Sequence, residues 1–428
     1  MSSAPLKARL PSYEEAAALV GAYAARLVGI DRKTEQVDLG SALGRVLAQS
    51  ICADRDQPPF TRSTRDGFAC RAHEASAHKF LKLAGLSRAG SVPAGPLPKG
   101  AAWEIMTGAP VPAGADAVMM IEHVELTKGR VRLLEPRKLK QGENIVAQGA
   151  QAHAADELLP AGTMIGSAQI ALAAACGCAA LEVFSRPRVA ILTTGDELVP
   201  IDSAPAPGQI RNSNAPMLAA MVAAAGGEPW VLPTAADTAD ALDAALAQAA
   251  EADLLIITGG VSAGKFDLVE PALARAGARF HFTGVRIQPG KPLIFGELPV
   301  INTRAIQNEN SAKCFFGLPG NPVSSAVTLL LFAAPVLAAL AGRRECSPRF
   351  ALARLAAKAG KLGKPGLTRF LPASCNFGSG WGEIPEVALV PMQGSGDLAA
   401  LARSNCFLVV PEDAHDFDVG TIVRILLP

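Results

Sequence analysis

Strong net charge is absent from this chain: 40 Lys and Arg against 39 Asp and Glu leave a formal +1 over 428 residues. With the two signs scattered, no field is expected that would gather duplex nucleic acid or an anionic membrane, and neither is read as a partner. A local basic site stays open. The opening MSSAPLKARLPSYEEAAALV lacks the basic start, apolar run and small-residue cleavage site of a secretory signal. The 8 cysteines contain no CxxC pair. The one close spacing, Cys176–Gly177–Cys178, sits in an Ala-rich apolar stretch without histidine, so core packing is expected there rather than zinc or a disulfide framework. Unpaired thiols imply a reducing compartment, the cytoplasm. GxGxxG and GxxxxGK[ST] are missing too, which removes sequence support for a Rossmann dinucleotide site and for a P-loop.

Long uncharged runs are also scarce. Only residues 323–341 (VSSAVTLLLFAAPVLAALA) could span a bilayer by length. That segment is rich in Ala and Ser, contains Pro335 and follows a Gly-rich loop, so a buried helix is expected.

What is present is apolar matter: 50% of residues are hydrophobic and 18% charged, with 40 Gly and 32 Pro. This composition suits sizeable cores, and the length suits about three domains. Apolar spacing behind Ser12 predicts a helix over 13–29, with Glu15 completing a capping box. A second short helix is expected over 39–48. From 51 to 148 the texture changes to Gly, Pro and short alternations such as RVRLLEP, a β-rich module. A helix over 167–176 and a short strand follow, so elements flanking the module are expected to form one discontinuous domain. From 187 the pattern becomes repeated β-α-β, with strands near 188–192, 230–232, 253–257 and 313–316 and helices near 215–225, 239–250 and 268–276. A β pair is expected around QPGKP. The fold class read here is α/β multidomain, with a doubly wound, mainly parallel sheet. After 345 short alternating runs predict a small all-β domain.

Ligands of open parallel sheets bind at the carboxyl ends of the strands, and four unusual loops fall there. They are TTGDEL with Glu197, TGGVSAGKFD with Gly259, Gly260, Ser262, Gly264 and Asp267, QPGKP with Pro289, Gly290 and Lys291, and LPGNPVS with Pro319, Gly320, Asn321, Pro322 and Ser324. Taken singly, each reads as a tight turn; Asn321 and Pro322, for instance, suit the N-cap and first position of a helix. Together they assemble glycine N–H groups, a lysine and two acids, Glu197 and Asp267, at one sheet edge. That set suits a phosphorylated ligand and a divalent cation held between oxyanions. In the β-rich module Asp66 of DGFA and Thr107 of MTGAPVP are further candidates, although Asp66 reads equally as a turn residue.

The motifs DGFA, MTGAPVP, GENI, TTGDEL, GQIRNSN, TGGVSAGKFD, PGKP, GLPGNPVS and a late QGSG, in this order over nearly the whole chain, resemble those of the molybdopterin molybdenumtransferases, which include the gephyrin E domain. The resemblance implies a discontinuous helical domain (1–50 and 149–186), an extended β-rich domain (51–148), an α/β domain similar to the molybdopterin adenylyltransferases (187–343) and a C-terminal β-barrel (344–428). It implies insertion of molybdate, the substrate, into adenylylated molybdopterin with release of AMP, assisted by Mg2+. Its active-site positions fall here on Asp66, Thr107, Glu197, Asp237, Asp267 and Lys291, with Glu197, Asp237 and Asp267 toward the cation and Lys291, Arg369 and Ser395 toward molybdate. The implied assembly is a homodimer, and a molybdopterin adenylyltransferase or a molybdoenzyme chaperone is the implied further partner.

Four features depart from the family pattern. Val146, Ala147, Gln148 and Gln151 replace its usual arginine and acid, Gln288 replaces a lysine ahead of PGKP, Thr61 to Arg65 replace a DNSAM-like stretch, and residues 299–312 look long. Arg62 and Arg65 are candidates to replace the lost cations. The alternative these departures raise is a weakened paralogue that carries molybdopterin or its nucleotide without inserting metal.

Overall fold

The computed structural model describes residues 9–28, 32–261, 268–299, 313–360, 362, 366–378, 382–414 and 416–428. The chain divides into two compact units: Met1–Ala48 with Gly162–Gly166 and Ala180–Pro428, and Gln49–Ala161 with Ser167–Ala179.

In the first unit, helix Tyr13–Leu27 begins as its sequence predicts. Ser12 Oγ accepts from the Glu15 N–H while Glu15 reaches back to the Ser12 N–H, so two orphan donors are satisfied at once. Its buried stripe is Ala16, Val20, Tyr23, Ala24 and Leu27. The helix expected over 39–48 does not form. Ser41 donates its N–H and hydroxyl to Asp38, Gly44 takes φ +74°, and the chain turns instead. Strand Thr34–Asp38 pairs antiparallel with Ala180–Phe184, so segments on either side of the β-rich module meet.

The central sheet has six strands. Glu228–Val231, Arg188–Thr193, Leu254–Thr258 and Lys313–Leu318 run parallel, and Ile294–Leu298 and Arg279–Phe282 complete one edge antiparallel. The pair expected around QPGKP is only partly realised. Arg279–Phe282 pairs with Ile294–Leu298, but Ile287–Gln288 leaves this sheet and runs parallel to Thr368–Arg369 of the C-terminal domain. That domain is a closed five-stranded barrel: Thr368–Asn376, Glu386–Leu389, Phe350–Leu355, Ile422–Leu426 and Cys406–Val410 pair in turn, and the last returns to the first.

The apolar run at Pro322–Leu340 is long and apolar enough to cross a membrane, yet it is buried inside this unit. Pro335 has no N–H to donate one turn back, and the π-helical stretch Leu329–Ala333 lies just ahead of it. One core joins the first helix, one face of the sheet, this helix and the barrel through Tyr23, Ile256, Phe332 and Phe370. Tyr13 packs edge-on against both Phe332 and Phe370, with ring centroids 6.2 and 5.4 Å away.

The second unit holds a mixed six-stranded sheet ordered Ala117–Met120, Gly67–Cys70, Ala101–Ile105, Leu81–Ser87, Arg130–Leu133 and Val124–Thr127. It buries side chains on both faces, with Phe68 and Met119 on one and Trp103 and Ile105 on the other. Helix Ser167–Ala175 belongs to this unit, where Cys176 is buried and accepts from Gln57 Nε2 at 3.4 Å.

Candidate active site

The three central parallel strands finish in register: Thr193 lies opposite Thr258, and Thr258 opposite Leu318. Their loops therefore emerge side by side at one edge. Thr194 N–H donates to Thr258 O at 3.0 Å and brings the first two loops together. The approach is so close that a Cβ on Gly259, whose φ is +95°, would lie 2.2 Å from Thr194 O, so only glycine fits. Thr258 is the hub of the edge. Its hydroxyl donates to Pro319 O at 3.1 Å and accepts from Asn214 Nδ2 at 3.2 Å, while Asn214 also donates to Gly320 O at 2.6 Å.

Two carboxylate-bearing loops are tied beside this edge. Thr194 Oγ1 donates to Asp237 Oδ1 at 2.5 Å, and the Asp237 N–H donates to Asp196 Oδ1 at 3.1 Å. Asn212 bridges the hydroxyls of Thr193 and Thr234 at 2.8 and 3.1 Å. Glu197 is exposed, with its carboxylate folded over Gly195. Ser262, Gly264 and Asp267 lie outside the described residues. Among the described residues no cluster of three or more metal-ligating side chains forms.

The cationic side of the site has another construction. Lys291 is exposed at the end of a turn that its own carbonyl closes by accepting from the Val285 N–H at 2.9 Å. Arg369 is only 1% exposed; its Nε donates to Gln288 Oε1 at 3.1 Å, and Nη1 and Nη2 have no partner among the described residues. Asn321 holds the N-cap position ahead of Pro322, but its side chain does not cap the helix. Instead Asn321 Nδ2 donates to Ser395 Oγ at 2.8 Å, and Val323 N–H donates to Ser395 O at 3.1 Å. The GLPGNPVS and QGSG loops are thus fastened together, with Ser324 buried in the first helical turn. Just beyond QGSG, Asp397 caps helix Leu398–Arg403. The N–H groups of Ala400 and Gln393 hold its carboxyl below the usual range.

In the second unit, Gly67 and Ile105 are paired across neighbouring antiparallel strands, so Asp66 and Thr107 share one end of the sheet. The Thr107 N–H donates to Asp66 Oδ1 at 2.6 Å. The departing segment is built into the same unit: Val146 pairs with Arg62, and Gln148 donates its backbone N–H to Thr61 Oγ1 and its amide to Asp56 Oδ2, each at 3.1 Å. The Ala154 N–H, followed by the Gln148 amide, holds the Asp56 carboxyl below its usual range.

Comparison with known proteins gives the same picture. Family models described as "MoeA N-terminal region (domain I and II)", "Probable molybdopterin binding domain" and "MoeA C-terminal region (domain IV)" match residues 11–177, 190–339 and 354–427. The molybdopterin molybdenumtransferase of Nostoc sp. (strain PCC 7120) is 35% identical over 400 residues, covering 92% of this chain and 88% of that protein. The chain belongs to the molybdopterin molybdenumtransferase family. The Bacillus subtilis (strain 168) member is 34% identical over 404 residues, 92% of this chain and 90% of its own. A crystal structure of the molybdopterin biosynthesis MoeA protein from Pyrococcus horikoshii OT3 superposes with a TM-score of 0.79 at 28% identity, covering 98% of this chain and 100% of that one. The chain is therefore an enzyme of molybdenum cofactor biosynthesis with the family's α/β domain and C-terminal barrel.

Several polar groups of the site were not singled out by sequence. Asn212, Asn214 and Thr258 are hydrogen-bonding anchors, and the RNSN run ahead of a helix was the available signal for the two asparagines. The contact between Gln288 and Arg369 had none, because the residues are 81 apart in sequence.

Proposed function

We propose that this chain inserts molybdate into adenylylated molybdopterin and releases AMP. The observation that carries this reading is Arg369: a guanidinium 1% exposed, with Nη1 and Nη2 unpartnered among the described residues, on the barrel strand beside Gln288 of QPGKP. A buried cation without a counter-charge is costly, and a dianionic oxyanion supplies what is missing. Lys291 and Ser395 are assigned with Arg369 to molybdate. Gly259, Gly260, Ser262, Gly264, Pro289, Gly290, Pro319, Gly320, Asn321, Pro322 and Ser324 are assigned to the pterin nucleotide, and Asp66 and Thr107 to further polar contacts of the reaction.

Mg2+ is proposed as the cofactor. The carboxylates of Glu197 and Asp237 are hard oxygen donors of the type it takes, and Thr194 occupies only one Asp237 oxygen, so the residues present fit the ion. Glu197, Asp237 and Asp267 would hold it. When bound, it supplies positive charge beside the phosphoanhydride oxygens.

The test is AMP release from adenylylated molybdopterin by the purified chain, with and without molybdate and magnesium. Molybdate-dependent AMP and a product that activates an apo-molybdoenzyme are expected; no AMP overturns the reading. A homodimer is also proposed, and sedimentation at micromolar concentration should give about twice the 44.1 kDa chain mass.

A further inference from the structure

The contact between Gln288 and Arg369 does more than fill space. Strands Ile287–Gln288 and Thr368–Arg369 run parallel with Gln288 directly opposite Arg369, so the two side chains leave neighbouring backbones on one face. A guanidinium carries five donors in a rigid plane, and capture of one of them fixes the direction of the rest. Here Gln288 Oε1 takes Nε at 3.1 Å, while Nη1 and Nη2 keep no partner among the described residues although Arg369 is 1% exposed. The acceptor is a neutral amide oxygen. It sets the orientation without cancelling the charge, as a carboxylate would, and without repelling it, as a lysine would.

We propose that Gln288 is a positioning residue that aims the Nη1–Nη2 fork of Arg369 at two oxygens of the bound oxyanion. This rests on the assignment of molybdate to Arg369. The residue at 288, where a lysine is the family's usual choice, thus acts through the arginine and does not supply a charge of its own.

The test is equilibrium dialysis of the full chain against radiolabelled molybdate, with thermal unfolding beside it. Gln288→Met keeps length and removes the acceptor; about tenfold weaker binding with an unchanged unfolding midpoint is expected. Arg369→Lys keeps the charge but lacks Nε, and it should also bind more weakly. Adding Gln288→Met to Arg369→Lys should change nothing more, because Gln288 would have no Nε left to hold. Wild-type affinity in Gln288→Met, or a further loss in the double variant, overturns the positioning role alone. Wild-type affinity in Arg369→Lys, or no molybdate bound by the natural chain, overturns the molybdate assignment itself. Should Gln288→Met unfold early, Gln288→Leu replaces it. That variant also lacks the acceptor, so about tenfold weaker binding by a folded chain is expected, and undiminished binding sinks the proposal.

Discussion

The backbone N–H of Thr107 donates to Asp66 Oδ1 at 2.6 Å, joining two loops 41 residues apart at one end of the β-rich sheet. An acid of the DGFA turn therefore has a structural duty along with its proposed functional one. The two separate by substitution. Asp66→Asn retains an oxygen acceptor and removes the charge, so thermal stability should stay within about 0.5 kcal/mol of wild type. AMP release should fall at least tenfold. Equal turnover would remove the carboxylate from the reaction.

Gly67, next to Asp66, has no room for a side chain: a Cβ there would stand 1.9 Å from Met119 O, a backbone atom of the adjacent strand. Gly67→Ala should cost about 3 kcal/mol, because the strand pairing must open to admit the methyl group. Denaturant unfolding measures this, and an unchanged midpoint would mean that the Met119 strand yields freely.

Thr258 holds the sheet edge through its hydroxyl, so Thr258→Val, equal in shape, isolates that bond set. Loss of the bond to Pro319 O and of the acceptor for Asn214 should cost about 1–3 kcal/mol. Stability within 0.5 kcal/mol of wild type, by the same unfolding measurement, would show that the loops are held by packing alone; that threshold is about the scatter of neutral substitutions.

Lys313 is 5% exposed, and its ammonium donates to Ala249 O. Burial lowers its pKa to about 8, against the weaker opposite pull of Cys314 and Asp253. A lysine with a depressed folded pKa binds fewer protons folded than unfolded between about pH 8 and its ordinary value near 10.5, so its penalty fades as pH rises through that window. Lys313→Met should therefore be the more stable protein at pH 7, and its advantage should shrink toward pH 10. The comparison must be between these two proteins. Burial raises the thiols of Cys70, Cys314 and Cys406 to about 12, which makes both lose stability once unfolded thiols ionise near pH 9. A constant gap across the window would sink the assignment.

Much of the fold was legible along the chain. The capping box at Ser12, the buried parallel run ending in Thr258 and the apolar helix after GLPGNP are local patterns, and each formed where its periodicity and end signals put it. The expected helix over 39–48 failed for a local reason as well: Asp38 bonding to Ser41, with glycines at 40 and 44, favours turns over a short helix.

The proposed site divides along the same line. By themselves the residues put on offer glycine loops after parallel strands, carboxylates at 197 and 267 and a lysine between prolines, while Asp237 and Arg369 entered only through the family resemblance. Tertiary structure alone decided which of these meet. Asn321 has the sequence of a cap, yet it turns to Ser395 because the barrel brings a hydroxyl within 2.8 Å. Gln288 looks like a lost lysine, yet strand pairing across 81 residues makes it the acceptor that Arg369 needs. Periodicity and capping act over a few residues and can be read in order along a chain. The partner of a buried polar group is chosen by desolvation and geometry among side chains distant in sequence, and only the folded backbone sets those distances.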